Sequence, residues 1–379
     1  MTTDVDESRL DDVAALEAAD PQRMLRAVAT SGAQVRRSRT AAGDAGLDSL
    51  REEGRPRAVV VTGMGGSGIA GDVLSVLAGP SSPVPVAVHR GTRLPGWVGA
   101  ADLVVAVSCS GRTRETLSAA DDAIRRGARV VGVGGPDSPL AERCLQARAP
   151  FVPVTAELAP RASLWGLTVP VLSVAARMGL IDLGADDAHL ELAAARLDAV
   201  AESCRPDREA FVNPAKSLAL ELIGSVPMVW GAGQTGPAAA YRFACQVAEN
   251  AKLPVVAGTL PEAHHNQVVT FDGALAAAAG EEDFFRDRVG EHASVRLRLV
   301  LLHDDDGMPD TAGAVEASAE LAEDRGVAVS SLRSEGSSPI ERLASLIGVA
   351  DFASVYLALV QGIDPTPVKP IDALKARAG

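Results

Sequence analysis

Glycines at a repeated spacing are the first residues in this chain whose pattern could do chemistry. The motif G-x-G-x-x-G occurs twice, at Gly63, Gly65 and Gly68 and again at Gly231, Gly233 and Gly236. In the first copy, VVVTGMGGSGIAGDVL, a β-branched run breaks into glycines and an apolar helical pattern follows. Such a turn brings backbone N–H groups close to a phosphate. The phosphate could belong to a dinucleotide, a nucleoside triphosphate or a small metabolite, and a tight turn without any ligand is the alternative.

The residues that follow the first glycine motif narrow this choice. A dinucleotide fold places an acidic residue about 20 positions further on, at the end of the next strand. Here that strand ends in His89 and Arg90. A nucleotide-binding P-loop has a lysine directly after its last glycine, whereas Ile69 follows Gly68. Arg90 could pair with a 2′-phosphate, so an NADP-dependent oxidoreductase remains an alternative.

A cluster of hydroxyl groups in the segment SCSGRT favours the small metabolite. Ser108, Ser110 and Thr113 lie where a predicted strand passes into a predicted helix. Hydroxyls and backbone N–H groups at a helix N-terminus form an anion site. Ordinary capping would explain one hydroxyl, and three within six residues favour a ligand. Because this loop and the glycine turn both follow strands of an open sheet, Ser67 should face the same pocket, which suits a monophosphate.

Five further residues carry groups that could move a proton or stabilise a charge. Glu249 in QVAENAKLP lies in a last helical turn, where the helix dipole disfavours a negative charge, although its position alone favours a surface glutamate paired with Lys252. His264 and His265 in LPEAHHNQVV are either acid–base groups or structural histidines. Arg161 in ELAPRASLWGL precedes a predicted helix, and Lys375 lies in the tail PIDALKARAG. Taken alone, both cations are typical of solvated positions.

The segments that must position these residues alternate between strand and helix. β-branched runs predict strands at RAVVVTG, PVPVAVHRG, ADLVVAVSCSG, ARVVGVGG, VPMVWG, LPVVAG, RLRLVLLH and GVAVSSL. Helical patterns follow most of them, which predicts an α/β fold with doubly wound parallel sheets. Aromatic residues make up only 3% of the chain, so the core should consist of Ala, Val and Leu. The repeated glycine motif indicates that the two halves repeat one α/β unit.

This pattern divides the chain into five parts. They are a helical N-terminal segment, a first α/β subdomain, a helical connector, a second α/β subdomain and a C-terminal helical tail. We predict their ranges as 1–55, 56–155, 156–220, 221–360 and 361–379. The stretch 273–295 has no clear pattern.

Composition and charge exclude several classes of protein. The net charge of −13 and the pI near 5.0 argue against nucleic acid and anionic membranes as partners. The four cysteines lack C-x-x-C spacing and the six histidines lack metal-type spacing, which predicts a reduced, cytoplasmic protein without a metal. The acidic start MTTDVDESRL is not a signal peptide, and Gly, Arg or Asp interrupts the longest apolar stretches short of a membrane span.

Seven segments, taken together and in this order, resemble the sugar isomerase (SIS) superfamily and, within it, the bifunctional phosphoglucose/phosphomannose isomerase family. They are GMGGSGIAGD, SCSGRTRETL, PRASLWGL, NPAKSLALEL, AYRFACQVAENAK, LPEAHHNQ and DFASVYLALVQGIDPTPVKPIDALK. The combination is far more specific than any single motif. The resemblance covers most of residues 55–379 and is thin in 1–54 and 273–295.

The resemblance implies a fold, an assembly and a reaction. The fold would be two SIS subdomains, each a flavodoxin-like parallel sheet flanked by helices. The assembly would be a homodimer with its active sites near the subunit interface. The reaction would convert glucose 6-phosphate, mannose 6-phosphate or both into fructose 6-phosphate, reversibly, through an enediolate and without a cofactor.

The resemblance also implies a role for each candidate residue. Glu249 resembles the base that moves a proton between C1 and C2, and Arg161 would stabilise the enediolate. His265, directly before Asn266, resembles the acid–base residue for ring opening, which can reach the partner's site. Lys375 is similar to a C-terminal lysine that assists ring opening. The residues that would hold the phosphate and substrate are Gly65, Gly66, Ser67, Ser108, Ser110 and Thr113.

Three positions depart from the family patterns. In the phosphate loop S-Y-S-G-N-T-x-E-T, Cys109 replaces the tyrosine and Arg112 replaces the asparagine. The pattern H-N-E becomes His265-Asn266-Gln267, so a carboxylate becomes neutral. Arg112 could add charge for the phosphate or indicate a different sugar acid or a bisphosphate. These departures concern the substrate and the rate more than the fold.

A sugar-phosphate sensor of the SIS type, without catalysis, is the second hypothesis. A sensor needs only the phosphate-binding loops, whereas this chain also has the acid–base candidates Glu249, His265 and Lys375. Its acidic N-terminus contains no evident DNA-binding helix-turn-helix motif. Both features favour the isomerase.

Overall fold

A computed structural model describes residues 6–52, 54–155, 159–276, 295–304 and 307–378. Most of the stretch 273–295, for which the sequence predicts no pattern, lies outside these residues. The chain divides into two compact units. The first-sheet unit comprises residues 29–198 and 336–344, and the second-sheet unit comprises residues 1–28, 199–335 and 345–379.

In the described residues, helices separate most of the successive strands, and further helices precede the first sheet and lie between the two sheets in the sequence. The strands are β1 (Val59–Thr62), β2 (Val86–His89), β3 (Leu103–Ser108), β4 (Arg129–Gly134), β5 (Phe151–Pro153), β6 (Ser225–Ala232), β7 (Val256–Thr259), β8 (Arg296–His303) and β9 (Ala328–Arg333). The helices are α1 (Val13–Ala19), α2 (Met24–Ala29), α3 (Ser31–Asp44), α4 (Ser49–Glu52), α5 (Gly66–Ala78), α6 (Arg114–Arg125), α7 (Pro139–Ala147), α8 (Leu164–Arg177), α9 (Ala188–Ser203), α10 (Pro214–Glu221), α11 (Gly236–Gln246), α12 (Pro309–Asp324), α13 (Pro339–Val360) and α14 (Lys369–Ala378).

The first sheet is parallel and has the strand order β2-β1-β3-β4-β5, the flavodoxin-like order. Helices cover both faces of this sheet. Consecutive residues of β1 point to opposite faces, so Val60 and Val61 contact different helices. Val60 packs in one cluster with Ala119 and Ala123 of α6. A Cβ atom added at Gly71 of α5 would lie 3.0 Å from the Cβ atom of Val61. The predicted doubly wound α/β fold is confirmed.

Strand β5 is the one strand of this sheet that the sequence analysis did not predict. It is three residues long and pairs with β4 at the edge of the sheet. The strand pattern is hidden by two prolines: Pro153 is the last residue of β5, and Pro150 directly precedes its first residue. Proline is tolerated there because an edge strand has no second neighbour that needs its N–H group.

The second sheet repeats the design of the first. Its strands are parallel in the order β7-β6-β8-β9, which matches β2-β1-β3-β4. A glycine turn follows the first strand of each repeat, β1 and β6. The middle glycine of each turn has a positive φ, +54° at Gly65 and +74° at Gly233, which a side chain would strain. The shared strand order and turn conformation support the predicted internal repeat.

Helix α13 is more apolar than the sequence analysis allowed. Of the helices in the described residues, α13 alone is long enough and apolar enough to cross a membrane, judged by length and composition only. Its most apolar 18-residue window has a mean hydropathy of 2.0, and 94% of that window is buried inside the protein. A buried core helix has this composition because it is apolar on all sides.

Candidate active site

Two loops meet at the carboxyl edge of the first sheet. We call residues 63–68, between β1 and α5, the glycine turn, and residues 108–113, between β3 and α6, the serine loop. Strands β1 and β3 are neighbours, and the connections from them run in opposite directions along the sheet. Ligands of open α/β sheets bind at this switch point. The structure therefore brings the two predicted phosphate-binding segments to the position where a ligand is expected.

Hydrogen bonds join and shape the two loops. The backbone N–H of Cys109 donates to the Ser67 hydroxyl at 3.3 Å, which ties the serine loop to the glycine turn. Within the serine loop, the Ser108 hydroxyl lies 3.0 Å from the Thr113 hydroxyl, and the backbone N–H of Arg112 donates to Ser110 at 3.2 Å. All four candidate hydroxyls thus take part in hydrogen bonds within or between these two loops.

The four hydroxyls differ in exposure. Ser110 is exposed and Thr113 is partly buried, whereas Ser67 is 8% exposed and Ser108 is fully buried. The hydroxyl of Ser108 is occupied by the bond to Thr113. Ser108 therefore fixes the conformation of the serine loop, and Ser110 and Thr113 present their hydroxyls closer to solvent.

Arg161 lies beside the glycine turn. It sits on a single 3-10 turn, Pro160–Ala162, and only 5% of the residue is exposed. A Cβ atom added at Gly66 would lie 4.0 Å from the Cα atom of Arg161. The sequence analysis found only a cation of the kind that is usually solvated. The structure instead places a buried cation next to a turn suited to an anion.

Two departures from the family pattern have a structural account. Cys109, in place of tyrosine, is buried, and burial raises the pKa of its thiol against the opposing effect of a hydrogen bond with Ser163. The thiol therefore stays protonated near neutral pH and packs as a small side chain. Arg112, in place of asparagine, is exposed and donates from its guanidinium to the carbonyl oxygen of Asp137 at 3.1 Å.

The arginine on which the dinucleotide alternative depends is already paired. Arg90 follows β2, and its guanidinium forms an ion pair with Asp72 on α5. Its side chain also packs against Gly68, where an added Cβ atom would lie 2.9 Å from Nε of Arg90. This arrangement counts against recognition of a 2′-phosphate by Arg90.

In the second-sheet unit, Glu249 lies on an irregular helical turn. Helix α11 ends at Gln246 and continues as a π-helical turn, Val247–Ala251, before Lys252 takes a left-handed conformation with φ of +60°. Turns of this kind are frequent at functional sites because they displace a side chain from the regular helical positions. The sequence analysis correctly placed Glu249 in the last turn but gave no indication that the turn is π-helical.

This turn is attached to the chain on two sides. The Asn250 side chain donates to the Ser354 hydroxyl on α13 at 2.9 Å, and both residues are fully buried. Lys252 donates to the backbone carbonyl oxygens of Glu249 and Pro365. Pro365 lies shortly before α14, the exposed helix that carries Lys375. The structure thus connects the turn of Glu249 to the segment that leads to Lys375.

The structure separates the two adjacent histidines. His264 is partly buried, with its Nε2 atom 2.7 Å from the Ser318 hydroxyl and its ring edge-on to Trp230 at 6.0 Å. Burial lowers the pKa of His264, and the neighbouring His265 lowers it further. The His265 residue is exposed on the same short turn. His264 therefore fits a structural role and His265 fits an acid–base role.

In the second repeat, a side chain of the protein occupies the position that corresponds to the candidate phosphate site of the first. Thr235 follows the first glycine of its turn by four residues, as Ser67 does, and Asp304 directly follows β8, as Cys109 directly follows β3. The Thr235 N–H donates to Oδ2 of Asp304 at 3.0 Å, and the Ser334 hydroxyl donates to Oδ1 at 3.0 Å. Asp304 is 2% exposed. A carboxylate of the chain itself thus lies at the second glycine turn.

Comparisons with known proteins match both halves of the chain. Residues 55–163 match the SIS domain model, and residues 211–377 match the model of the bacterial phospho-glucose isomerase C-terminal SIS domain. The chain is 33% identical over 319 residues to the bifunctional phosphoglucose/phosphomannose isomerase of Caldicellulosiruptor bescii, covering 84% of this chain and 88% of that protein. It is 31% identical to the protein of the same name from Aquifex aeolicus, covering 84% and 89%.

Solved structures show the same fold at lower sequence identity. A hypothetical protein from Thermus thermophilus superposes with a TM-score of 0.68 at 16% identity, covering 97% of this chain and 94% of that one. That similarity concerns the fold alone, whereas the sequence relatives share most of their length with this chain. The chain therefore belongs to the bifunctional phosphoglucose/phosphomannose isomerase family, and its two sheets are SIS subdomains.

Proposed function

We propose that this chain is a phosphosugar isomerase that interconverts glucose 6-phosphate, mannose 6-phosphate or both with fructose 6-phosphate through an enediolate. The observation that carries the proposal is the meeting of the glycine turn and the serine loop at the switch point of the first sheet, with buried Arg161 beside them. The name shared by the relatives supports the same substrates.

The phosphate of the sugar is the group that the first-sheet unit would hold. The residues proposed for this task are Gly65, Gly66, Ser67, Ser108, Ser110 and Thr113. Their contribution is binding energy at a distance from the reacting carbons, which orients C1 and C2 for reaction. Ser110 and Thr113 would donate to the phosphate, and Ser108 would keep the loop in shape through its bond to Thr113.

The proton transfers need one base and one cation. Glu249 would remove the proton from one of the two carbons and return it to the other, so its net protonation is unchanged after a turnover. Arg161 would stabilise the negative oxygen of the enediolate. His265 would act as acid and base in ring opening, with Lys375 assisting. All bonds made and broken belong to the sugar and these side chains, so the proposal includes no cofactor.

The proposal extends to the state of the protein in the cell. It includes a homodimer, a phosphorylated hexose as the substrate and a cytoplasmic location. The four cysteines are free thiols, which supports a reducing compartment. It also keeps 56–155 and 221–360 as the two SIS subdomains, and the family-model matches over 55–163 and 211–377 support this division.

Proton NMR in heavy water tests the proposal directly. Purified protein is given fructose 6-phosphate, and both aldose products and deuterium incorporation at C1 are followed. We expect product formation that is lost in Glu249→Gln and kept in Glu142→Gln, a matched change at an exposed glutamate of α7. Sugar-phosphate binding without either exchange or product would contradict the isomerase and support the sensor hypothesis instead.

A further inference from the structure

We propose that Gln267 is a positioning residue that holds the loop of His265 in place. This inference rests on the proposed function, because it gives a reason for the placement of an acid–base group. Gln267 begins the short 3-10 helix Gln267–Asp272, two residues after His265. Its side chain connects this loop to both β6 and β7.

Both ends of the Gln267 amide are hydrogen-bonded to fixed groups. Nε1 of Trp230 on β6 donates to Oε1 of Gln267 at 2.7 Å. Nε2 of Gln267 donates to the backbone carbonyl oxygen of Ala257 on β7 at 3.0 Å. An indole N–H can only donate and a carbonyl oxygen can only accept, so the two partners determine the orientation of the amide.

The strand below has space for this amide. A Cβ atom added at Gly258 would lie 2.6 Å from Oε1 of Gln267 and 2.7 Å from the Trp230 ring. A side chain at position 258 would therefore displace the amide from its two partners. Glycine at this position leaves the space in which the Gln267 amide contacts Trp230.

Trp230 holds the loop at further points. Its fully buried ring stacks on Phe271 at 5.5 Å and meets the edge of His264 at 6.0 Å. His264 in turn lies 2.7 Å from the Ser318 hydroxyl on α12. Residues on both sides of His265 are thus fixed, while His265 itself is exposed. The loop presents one histidine by anchoring its neighbours.

An amide satisfies this pair of partners and a carboxylate does not. An ionised carboxylate could accept from Trp230, but it would face the Ala257 carbonyl oxygen without a proton to donate. A protonated carboxyl group could serve both partners. The titratable groups of the same loop are Glu262, His264, His265 and Asp272, while β6 and β7 contribute the indole and the backbone carbonyl. This difference makes the role of Gln267 testable by pH.

The test compares Gln267→Glu with the wild-type protein in the isomerase assay. At pH 8 we expect kcat to fall by about 10- to 100-fold, because displacing a catalytic group by about 1 Å has an effect of that order. KM should stay within about twofold of the wild-type value. At pH 5.5 the deficit should shrink, since the introduced carboxyl group can then donate. Gln267→Met should lower kcat at both pH values. Gln146→Glu, which adds the same charge at an exposed position, should change neither constant.

A spectroscopic signal reports the contact without relying on activity. In protein labelled with 15N-tryptophan, Trp230→Phe identifies the indole N–H signal of Trp230. That signal should shift in Gln267→Met at every pH, and in Gln267→Glu it should return toward the wild-type position as the pH is lowered. An unchanged signal in both variants would overturn the contact.

The outcomes separate this inference from the function on which it rests. If the wild-type protein catalyses no isomerisation, the proposed function fails, and the positioning role fails with it. If the wild type is active and His265→Asn is inactive, but Gln267→Met retains wild-type kcat, only the positioning role is overturned. A Gln267→Glu variant that is faster than wild type at every pH would also overturn it, because the family carboxylate would then be superior at this position.

Discussion

The backbone N–H of Thr235 donates to the Asp304 carboxylate at 3.0 Å, at the position where the first repeat has Ser67 and Cys109. In the first repeat, uncharged groups join the serine loop to the glycine turn, and the protonated Cys109 lies where the second repeat has Asp304. In the second repeat, Asp304 brings a negative charge of the chain itself to the start of α11. A helix N-terminus is stabilised by such a charge.

This difference predicts one sugar-phosphate site in each chain. Titration calorimetry with fructose 6-phosphate should give one site per chain, because the Asp304 side chain already occupies the second glycine turn, and an asparagine of the same shape would occupy it too. Asp304→Asn should still bind one, and it should be less stable by about 1–2 kcal/mol since a charge at the start of α11 is lost. Asp310→Asn removes an exposed charge from the first turn of α12, so as the matched control it should cost less, about 0.5 kcal/mol. Two equivalent sites in the wild type would contradict this prediction.

Removing the two serine hydroxyls of the serine loop one at a time should have different effects, one on substrate binding and one on stability. Ser110→Ala removes an exposed hydroxyl proposed to donate to the phosphate, so KM for fructose 6-phosphate should rise about tenfold or more without a change in unfolding. Ser108→Ala removes a buried hydroxyl bonded to Thr113, so it should lower the free energy of unfolding by about 1 kcal/mol or more. Steady-state kinetics and urea unfolding measure the two effects.

Ser81→Ala, at an exposed position after α5, serves as the control for both variants. It should leave KM and the unfolding midpoint unchanged. A Ser110→Ala variant with wild-type KM would remove Ser110 from the phosphate site. A Ser108→Ala variant as stable as wild type would mean that the bond to Thr113 does not stabilise the loop.

The parts of the site that follow from local sequence could be predicted. The glycine turn and the serine loop each combine a β-branched strand, glycine or hydroxyl residues, and a helix within about ten positions, so their junctions are visible in the sequence. The same is true of the eight predicted strands and of Glu249 in a final helical turn. The fold class and the repeat follow from these local patterns.

The parts that depend on distant contacts could not be predicted. Trp230 and Gln267 are 37 positions apart, and nothing in either segment indicates that their side chains pair. Arginine is usually solvated, so the sequence gives no sign that Arg161 is buried. The burial results from the packing of its turn beside Gly66. The π-helical turn of Glu249 depends likewise on α13, through the bond between Asn250 and Ser354. Such contacts are set by tertiary packing and leave no periodic signal.

The buried ion pair between Arg242 and Asp351 should be essential for stability. Nε and Nη2 of Arg242 on α11 lie 3.0 Å from the two carboxylate oxygens of Asp351 on α13. Burial raises the pKa of Asp351, and Arg242 opposes that shift. Asp351→Asn removes the carboxylate that both guanidinium nitrogens contact in the core, so we expect a loss of about 3–5 kcal/mol in urea unfolding.

Two controls make this prediction specific. Asp121→Asn breaks an exposed ion pair with Arg143 and should cost at most about 1 kcal/mol. The double variant Arg242→Met and Asp351→Leu replaces both charges by apolar groups, so it should be more stable than Asp351→Asn alone. The prediction is wrong if Asp351→Asn unfolds at the same urea concentration as Asp121→Asn.

The ion pair between Arg57 and Asp102 should make stability depend on pH in acid. Asp102 is fully buried; burial raises its pKa, but bonds from Arg57 and from the Gly99 N–H lower it below the usual value. A lowered pKa stabilises the folded state above the unfolded-state value of about 3.9, and this contribution is lost as the pH falls below it. Arg57→Met removes the main opposing group, so burial should then raise the pKa.

The stability difference between wild type and Arg57→Met should therefore be largest near pH 7. It should shrink as the pH falls, first as Asp102 is protonated in the variant and finally below the lowered pKa of Asp102 in the wild type. Thermal unfolding at pH 7, 5 and 4 measures this change. Arg57 also lies 5.9 Å from the Trp97 ring, but loss of that contact shifts stability equally at every pH. Arg93→Met, at an exposed position, should behave as wild type. A difference that stays constant across the three pH values would mean that Arg57 stabilises the fold by packing and not through the charge of Asp102.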